Sequence, residues 1–388
     1  MTTMFENELS QLEQENLLRH LVPISSSQGP RVTINGNDVI LLCSNNYLGI
    51  AEHPALRQAA IAALERYGFG SGASRLVSGN MNLHEELETR IAAFKGTASA
   101  ILFNSGHAAN TGVIPAIAGE GDLVLSDRLN HASIIDGCRL SRARTLVYHH
   151  CDCDHLESLL KGHTVARRKL IVTDGVFSMD GDIAPLADLA GLAERYNAIL
   201  MVDDAHGTGV LGEGGRGTAE HFGLAGRVQI QMGTLGKSLG SFGAYVAGDS
   251  DIIRHLQNAA RSFVFSTSLP PAVCAASIAA LDVLEREPWR RKKLGENRDR
   301  LVNGLAGLGI RTGNSRTPII PVIAKDTPSA LKASQDLLER GIFAPAIRPP
   351  SVPEGSSRIR ATVMATHSSA DIDSAIGAFG MLKDKGYF

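Results

Sequence analysis

Through the middle of the chain, short runs of aliphatic and β-branched residues alternate with stretches whose apolar positions recur every three or four residues. Lys169-Leu-Ile-Val-Thr173, Ile199-Leu-Met-Val202, Val228-Gln-Ile-Gln-Met232 and Ala244-Tyr-Val-Ala247 read as buried strands. Between the first two, Leu186, Leu189, Leu192, Ala193 and Tyr196 follow helical spacing behind Pro185. Proline suits that opening position because an N–H there would have no helical partner. Such alternation predicts a mostly parallel α/β sheet, with functional groups gathered at the carboxyl ends of its strands. Polar, glycine-bearing segments do follow the runs at once: Asp174-Gly-Val-Phe-Ser-Met-Asp-Gly181, Asp203-Asp-Ala-His-Gly207 and Thr234-Leu-Gly-Lys-Ser-Leu-Gly240.

The pattern differs toward both ends. Residues 5–21 are helical in spacing and lead to a short strand pair around an Asn35-Gly36 turn. After Leu269-Pro270-Pro271, a long helical stretch over 272–308 precedes further elements at 317–324, 331–340 and 358–362. The expected division is an amino-terminal helix with short strands (1–50), a large domain (51–285) and a smaller α+β domain (286–388).

Length and composition fit that picture. At 388 residues the chain exceeds what one core holds. Hydrophobic content of 44%, with 38 basic and 40 acidic residues, marks an ordinary globular protein, and a net charge of -2 gives no sign of a nucleic-acid or anionic-membrane partner. Residues 1–14 are acidic and polar, unlike a secretory signal, and no apolar run approaches the roughly 20 residues that span a bilayer. A cytoplasmic location is expected. Five scattered cysteines do not form a disulfide framework. The run from His149 to His155 has the composition of a metal cluster, but adjacent ligands compete for coordination directions and no second pair at zinc spacing follows. It reads as a polar loop entering a helix around 156–160, and no metal is expected.

Lys237 is the candidate for covalent chemistry. A strand that delivers a lysine into a glycine-lined, partly dry pocket favours the neutral amine that a Schiff base requires. Gly236-Lys237-Ser238 also ends the Walker pattern, but Gln231 stands where that pattern needs glycine. Gly212-Glu-Gly-Gly-Arg-Gly217 has dinucleotide-fingerprint spacing without joining a strand directly to a helix, and reads as a turn-rich loop. Ser105-Gly106 before a helical run is either a phosphate site or an N-cap. Asp203 either pairs with a protonated ring nitrogen or caps the next turn, and His206 lies three residues on. His131, beside an N-cap-like Asn130, offers a flat face for stacking or is a satisfied, partly buried histidine. A phosphate site, a carboxylate, a flat imidazole and a Schiff-base lysine together are what pyridoxal 5'-phosphate requires.

Six segments carry a family resemblance: Cys43-Ser-Asn-Asn-Tyr-Leu-Gly49, Phe69-Gly-Ser-Gly-Ala-Ser-Arg-Leu-Val-Ser-Gly79, Gly175-Val-Phe-Ser-Met-Asp-Gly-Asp182, Asp203-Asp-Ala-His-Gly-Thr-Gly209, the lysine heptad and Ser266-Thr-Ser-Leu-Pro-Pro271. Over nearly its full length the chain resembles the α-oxoamine synthases, pyridoxal-phosphate enzymes with the aspartate aminotransferase-like fold (fold type I). The resemblance implies that Lys237 binds the cofactor covalently and moves the α-proton. It implies that Asp203 partners the ring nitrogen, His131 stacks and assists at the developing oxyanion, and Ser178 and His206 face the phenolic oxygen. The amides of Gly106 and His107 and the Thr234 hydroxyl would hold the phosphate. Arg348 would grip the amino-acid carboxylate, with Arg19, Asn45 and Ser351 near the acyl substrate. Ala346-Ile-Arg-Pro-Pro-Ser-Val-Pro353 and Arg358-Ile-Arg360 point, within the family, to L-alanine and pimeloyl-CoA or a pimeloyl-carrier protein as substrates, condensed with loss of CO2. A homodimer is implied, with residues 70–79 approaching the partner's cofactor. Glycine with acetyl-CoA, or another pair within the family, stays open, as does a P-loop-like nucleotide-binding protein or an inactive scaffold.

Overall fold

The structure, a computed structural model, describes residues 2–388; Met1, included in the first expected segment, lies outside the described residues. The strands are β1 (Arg31–Ile34), β2 (Asn37–Leu41), β3 (Ser99–Phe103), β4 (Leu123–Asp127), β5 (Arg144–Tyr148), β6 (Lys169–Asp174) and β7 (Ile199–Asp203), followed by β8 (Ile230–Thr234), β9 (Ala244–Gly248), β10 (Ile319–Ile323), β11 (Ile342–Phe343), β12 (Ala346–Ile347) and β13 (Arg358–Thr362). Two compact units contain them: Ile50–Ser178 with Asp182–Arg291, and Met1–Gly49 with Met179–Gly181 and Lys292–Phe388.

The first unit is built on a seven-stranded sheet of order β3-β9-β8-β7-β6-β4-β5. Strands β4 to β8 pair in parallel, and β9 runs antiparallel to both β3 and β8. Successive side chains of a strand point to opposite faces. Leu170 and Val172 accordingly pack with Val113, Ile134 and Ile253 on one face, while Ile171, Leu200 and Val202 pack with Leu156, Leu186 and Leu189 on the other. Burial on both faces explains why these strands appear as unbroken apolar runs. Each fully buried aliphatic side chain contributes roughly 1.5–3 kcal/mol. Pairing continues through Asp174↔Asp203, so β6 and β7 each end on an aspartate rather than on the last apolar residue. The strand before the lysine is shifted two residues from its apolar run, to Ile230–Thr234, and Gln229 just ahead of it accepts from the Leu200 amide through its side-chain oxygen.

In the second unit, β1 and β2 form the expected hairpin, with Asn35 and Gly36 at φ 51° and 79° as a two-residue turn of the primed class requires. β2 pairs in parallel with β11 through Ile40↔Ile342. The amino-terminal segment is therefore not a separate module of residues 1–50; it shares a sheet with the carboxyl-terminal region. A second sheet has the order β10-β13-β12.

Two helices differ from their expected extents. The first spans Thr2–Gln14, not 5–21: Asn16 turns to φ 58°, and the amides of Leu17 and Leu18 both return to the Leu12 carbonyl. The expected 272–308 helix is two, Pro271–Arg286 and Trp289–Gly307, interrupted at Glu287-Pro288, where proline has no N–H to continue the ladder. The unit boundary falls after Arg291, inside the second of these, rather than at 285. Among the described residues no helix is long and apolar enough to cross a membrane.

Candidate active site

The carboxyl ends of β6, β7 and β8 meet the first turns of the Gly106–Ile117 and Ala132–Leu140 helices around a cavity of about 220 Å3 within the first unit. Gly106, His107, His131, Ser178, Asp203, His206, Thr234 and Lys237 all line it. Residues separated by more than a hundred positions in sequence are thus brought into one space.

Lys237 lies on a short loop beyond β8. Leu235 and Leu239 anchor the loop by complete burial, and the amides of Ser241 and Gly240 close it onto the carbonyls of Leu235 and Lys237. Gly240 has φ 60°, and a Cβ there would lie 2.6 Å from the Ala51 amide nitrogen, so only glycine fits. The loop directs Lys237 Nζ to 3.0 Å from Nε2 of His206, itself 6% exposed.

Asp203 is almost wholly buried. Its carboxylate accepts from Asn110 Nδ2 at 2.8 Å and from the Ala205 amide at 3.1 Å. Burial pushes its pKa up, while the Lys237 charge and the Asn110 hydrogen bond act against that rise. Asp174, its register partner, accepts from the His131 amide at 2.7 Å. Burial, reinforced by the Asp203 charge, holds Asp174 well above the ordinary carboxylate range, so Asp174 is the member of the pair that retains a proton. His131, not Asn130, caps the following helix: its Nδ1 accepts from the Ser133 amide, while Asn130 turns inward to Ser126, the Val172 carbonyl and the Asp174 amide. Burial lowers the His131 pKa despite the opposing pull of Asp203.

Asn110, Ser133 and Asp174 are site residues that the sequence reading missed. Asp174 ends its apolar run just as Asp203 does, and that parallel is a usable signal. Asn110 is fully buried in a helix that is otherwise apolar on its inner face, which only the fold reveals.

Ser105 is an N-cap. Its Oγ caps the helix by accepting from the Ala108 amide at 3.0 Å. The Gly106 and His107 amides, at the first two helical positions, have no hydrogen-bond partner among the described residues, and the positive end of the helix dipole lies with them. Thr234 lines the cavity, but its hydroxyl donates to the Gly243 carbonyl and accepts from the Gly236 amide. It is occupied in shaping the lysine loop.

Arg19, Asn45, Arg348 and Ser351 lie in the second unit. Arg19 reaches Ser351 Oγ at 3.4 Å, Arg348 donates to the Leu18 carbonyl at 2.6 Å, and Asn45 accepts from Arg360 at 3.2 Å. Arg348 Nε is buried without a hydrogen-bond partner, and both burial and the Arg19 charge disfavour its guanidinium. Two cations near one unpaired N–H suit a carboxylate.

The dinucleotide-like and metal-like motifs lie apart from this cavity. In the 212–217 loop, the amides of Gly214 and Arg216 donate to Glu220, and the Thr218 amide donates to Asp204. Donors that a dinucleotide phosphate would use are engaged by carboxylates. In the 149–155 run, His150 and Cys151 come together with Asp127, and both His150 ring nitrogens face carboxylate oxygens.

Unpartnered helix amides, a buried carboxylate and a lysine amine in one cavity fit a flat, phosphorylated, ring-nitrogen cofactor bound through an aldehyde. Comparison with known proteins points to the same cofactor. A protein of Geotalea daltonii named 8-amino-7-oxononanoate synthase is 57% identical over 377 residues, 96% of each chain. A serine palmitoyltransferase from S. paucimobilis, solved with bound PLP-myriocin, superposes with a TM-score of 0.94 at 32% identity, over 98% of this chain and 97% of that one. The 8-amino-7-oxononanoate synthase of Francisella tularensis superposes with a TM-score of 0.79 at 27% identity, over 90% of this chain and 99% of its own. Residues 37–379 match the model of aminotransferase class I and II, and the chain belongs to that family.

Proposed function

We propose that this chain is a pyridoxal-phosphate-dependent acyltransferase that condenses L-alanine with pimeloyl-CoA, or with the same acyl group on a carrier protein. The products are 8-amino-7-oxononanoate, CO2 and the free thiol, a step of biotin synthesis. The observation that carries the reading is the convergence of Lys237, Asp203 and two unpartnered helix amides in one cavity. The relatives' shared name gives the product, and alanine with a pimeloyl thioester is the pair that condenses to it with loss of CO2.

Pyridoxal phosphate, when bound, supplies an electron sink for the pair left at the amino acid's α-carbon. The chain supplies the rest. Lys237 Nζ would hold the cofactor through its carbonyl carbon and would take the α-proton of alanine, with His206 Nε2 at 3.0 Å as its neighbour. Asp203 would keep the ring nitrogen protonated, and Asn110 fixes the carboxylate that would do so. His131 would offer its imidazole to the ring and donate toward oxygen where charge develops. Ser178 and His206 would bind the cofactor's phenolic oxygen. The Gly106 and His107 amides would hold the phosphate. Arg348 takes the alanine carboxylate, and Arg19, Asn45 and Ser351 receive the acyl substrate. The working form is a homodimer.

Steady-state kcat/KM for L-alanine with pimeloyl-CoA, set against glycine with acetyl-CoA, tests the proposal. We expect the first pair to be preferred by at least about a hundredfold, as hydrogen-bonding sites discriminate. Preference for the second pair would assign the chain to a different reaction on the same cofactor.

A further inference from the structure

We infer that His150, as an imidazolium, ties the end of β4 to the segment carrying Ser178 and thereby sets two walls of the cofactor cavity. The inference rests on the cofactor reading above. Its Nδ1 lies 2.9 Å from Asp127 Oδ1 and its Nε2 lies 2.8 Å from Asp182 Oδ2. Only a doubly protonated imidazole donates to two carboxylates at once.

Each carboxylate controls one wall. Asp127 ends β4 and also accepts from the Leu129 and Cys151 amides at 2.8 and 2.9 Å, shaping the turn that runs to His131. Asp182 adjoins the Val176↔Ile183 bridge, and its carbonyl accepts from the Phe177 amide at 3.0 Å, one residue before Ser178. The His150 ring packs edge-on against Phe177, with centroids 4.4 Å apart and planes at 88°. Asp182 Oδ1 is buried with no hydrogen-bond partner, so His150 is the N–H donor to this carboxylate among the described residues. Burial by itself would lower the His150 pKa; hydrogen bonds to Asp127 and Asp182, aided by Cys151, instead raise it to about 12. The charge is thus present throughout the working pH range.

The same neighbourhood could be read as a metal site, since ligand atoms of Asp127, His150 and Cys151 lie within 4.8 Å of one another. A metal ion would need one ring nitrogen deprotonated and its carboxylate moved aside. The observed geometry is that of hydrogen bonds.

Histidine 15N NMR of the cofactor-free protein tests the tether directly: the His150 ring is expected to stay doubly protonated at pH 9. Titration near the ordinary value of about 6.5 would overturn the inference. In protein loaded with pyridoxal phosphate, His150→Gln should weaken cofactor affinity at least about tenfold and diminish the cofactor's visible circular dichroism, since charge-assisted bonds are lost. Asp182→Asn, at a partly exposed carboxylate, should do the same where His150→Gln folds poorly, and the double variant should be no worse than either. Folded variants with unchanged affinity and dichroism, or stoichiometric zinc in the purified protein, would overturn it. A wild-type protein that takes up no pyridoxal phosphate would remove the cofactor reading instead, and the NMR titration would still decide the tether.

Discussion

Asp174 and Asp203 are register partners at the ends of two adjacent parallel strands, and both line the same cavity. Two buried carboxylates so placed are not both ionised without cost. Lys237 favours charge on both, Asn110 favours it on Asp203, and burial pushes Asp174 well up, so Asp174 is left to hold the proton. The arrangement reserves one ionised carboxylate for a cationic ring nitrogen.

A pH dependence of stability follows. The folded-state pKa of Asp174 is raised, so between the unfolded value of about 3.9 and the folded value the native state binds more protons than the unfolded one. Its contribution is full below that window and is lost as pH rises through it. Asp174→Asn still accepts from the His131 amide and has no proton to lose. The melting temperature of the cofactor-free variant should gain on wild type as pH rises from 4 to 8; a constant difference would contradict the assignment.

Asp203→Asn should separate activity from stability. The neutral side chain cannot hold a proton on the ring nitrogen, and kcat should fall about a hundredfold or more, the scale of a lost charge-assisted bond in a dry site. Cofactor-free protein should lose only about 1–3 kcal/mol, because asparagine keeps one of the two acceptors that Asn110 and Ala205 use. Wild-type kcat in this variant would exclude the pairing.

Asn110→Ala tests the residue that orients Asp203. It deletes donors to Asp203 Oδ2 and Ser133 Oγ, at 2.8 and 2.9 Å, in a fully buried position. Leaving such acceptors unpaired costs ~1–3 kcal/mol, measurable by urea unfolding, and cofactor affinity should drop with it.

In the second unit, His367 is buried and neutral: its Nδ1 accepts from the Met364 amide, its Nε2 faces the Leu41 carbonyl at 3.2 Å, and burial lowers its pKa to about 4. The unfolded chain protonates near 6.5, so it binds the extra proton between those values. Stability present above pH 6.5 should be lost as pH falls toward 4, by up to about 3 kcal/mol. His367→Gln should lack that part of the slope in urea titrations between pH 7 and 4.5.

The sheet and most of the cavity could be read from sequence because burial on both faces writes itself as continuous apolar runs, each ending where polar chemistry starts. Lys237 and Asp203 were visible for that reason. Strand β5 was not picked out, since it lies at the sheet edge with Arg144, Thr145 and Val147 exposed, and β4, though buried, has only Leu123, Val124 and Leu125 before it turns polar. Asn110 escaped notice because a single amide inside a helix has no local signature; its role exists only once Asp203 is brought opposite. Thr234 shows the reverse case, where a hydroxyl suited by type to a phosphate is engaged by its own loop. Segment 1–50 was set apart from the carboxyl-terminal region because the parallel pairing of Ile40 with Ile342 joins positions some three hundred residues apart.

Borohydride reduction of protein loaded with pyridoxal phosphate, followed by peptide mass spectrometry, tests the central claim most directly. The account predicts one modified peptide, carrying the reduced pyridoxyl phosphate on Lys237, and none in Lys237→Ala. Modification at another lysine, or equal labelling of Lys237→Ala, would contradict it.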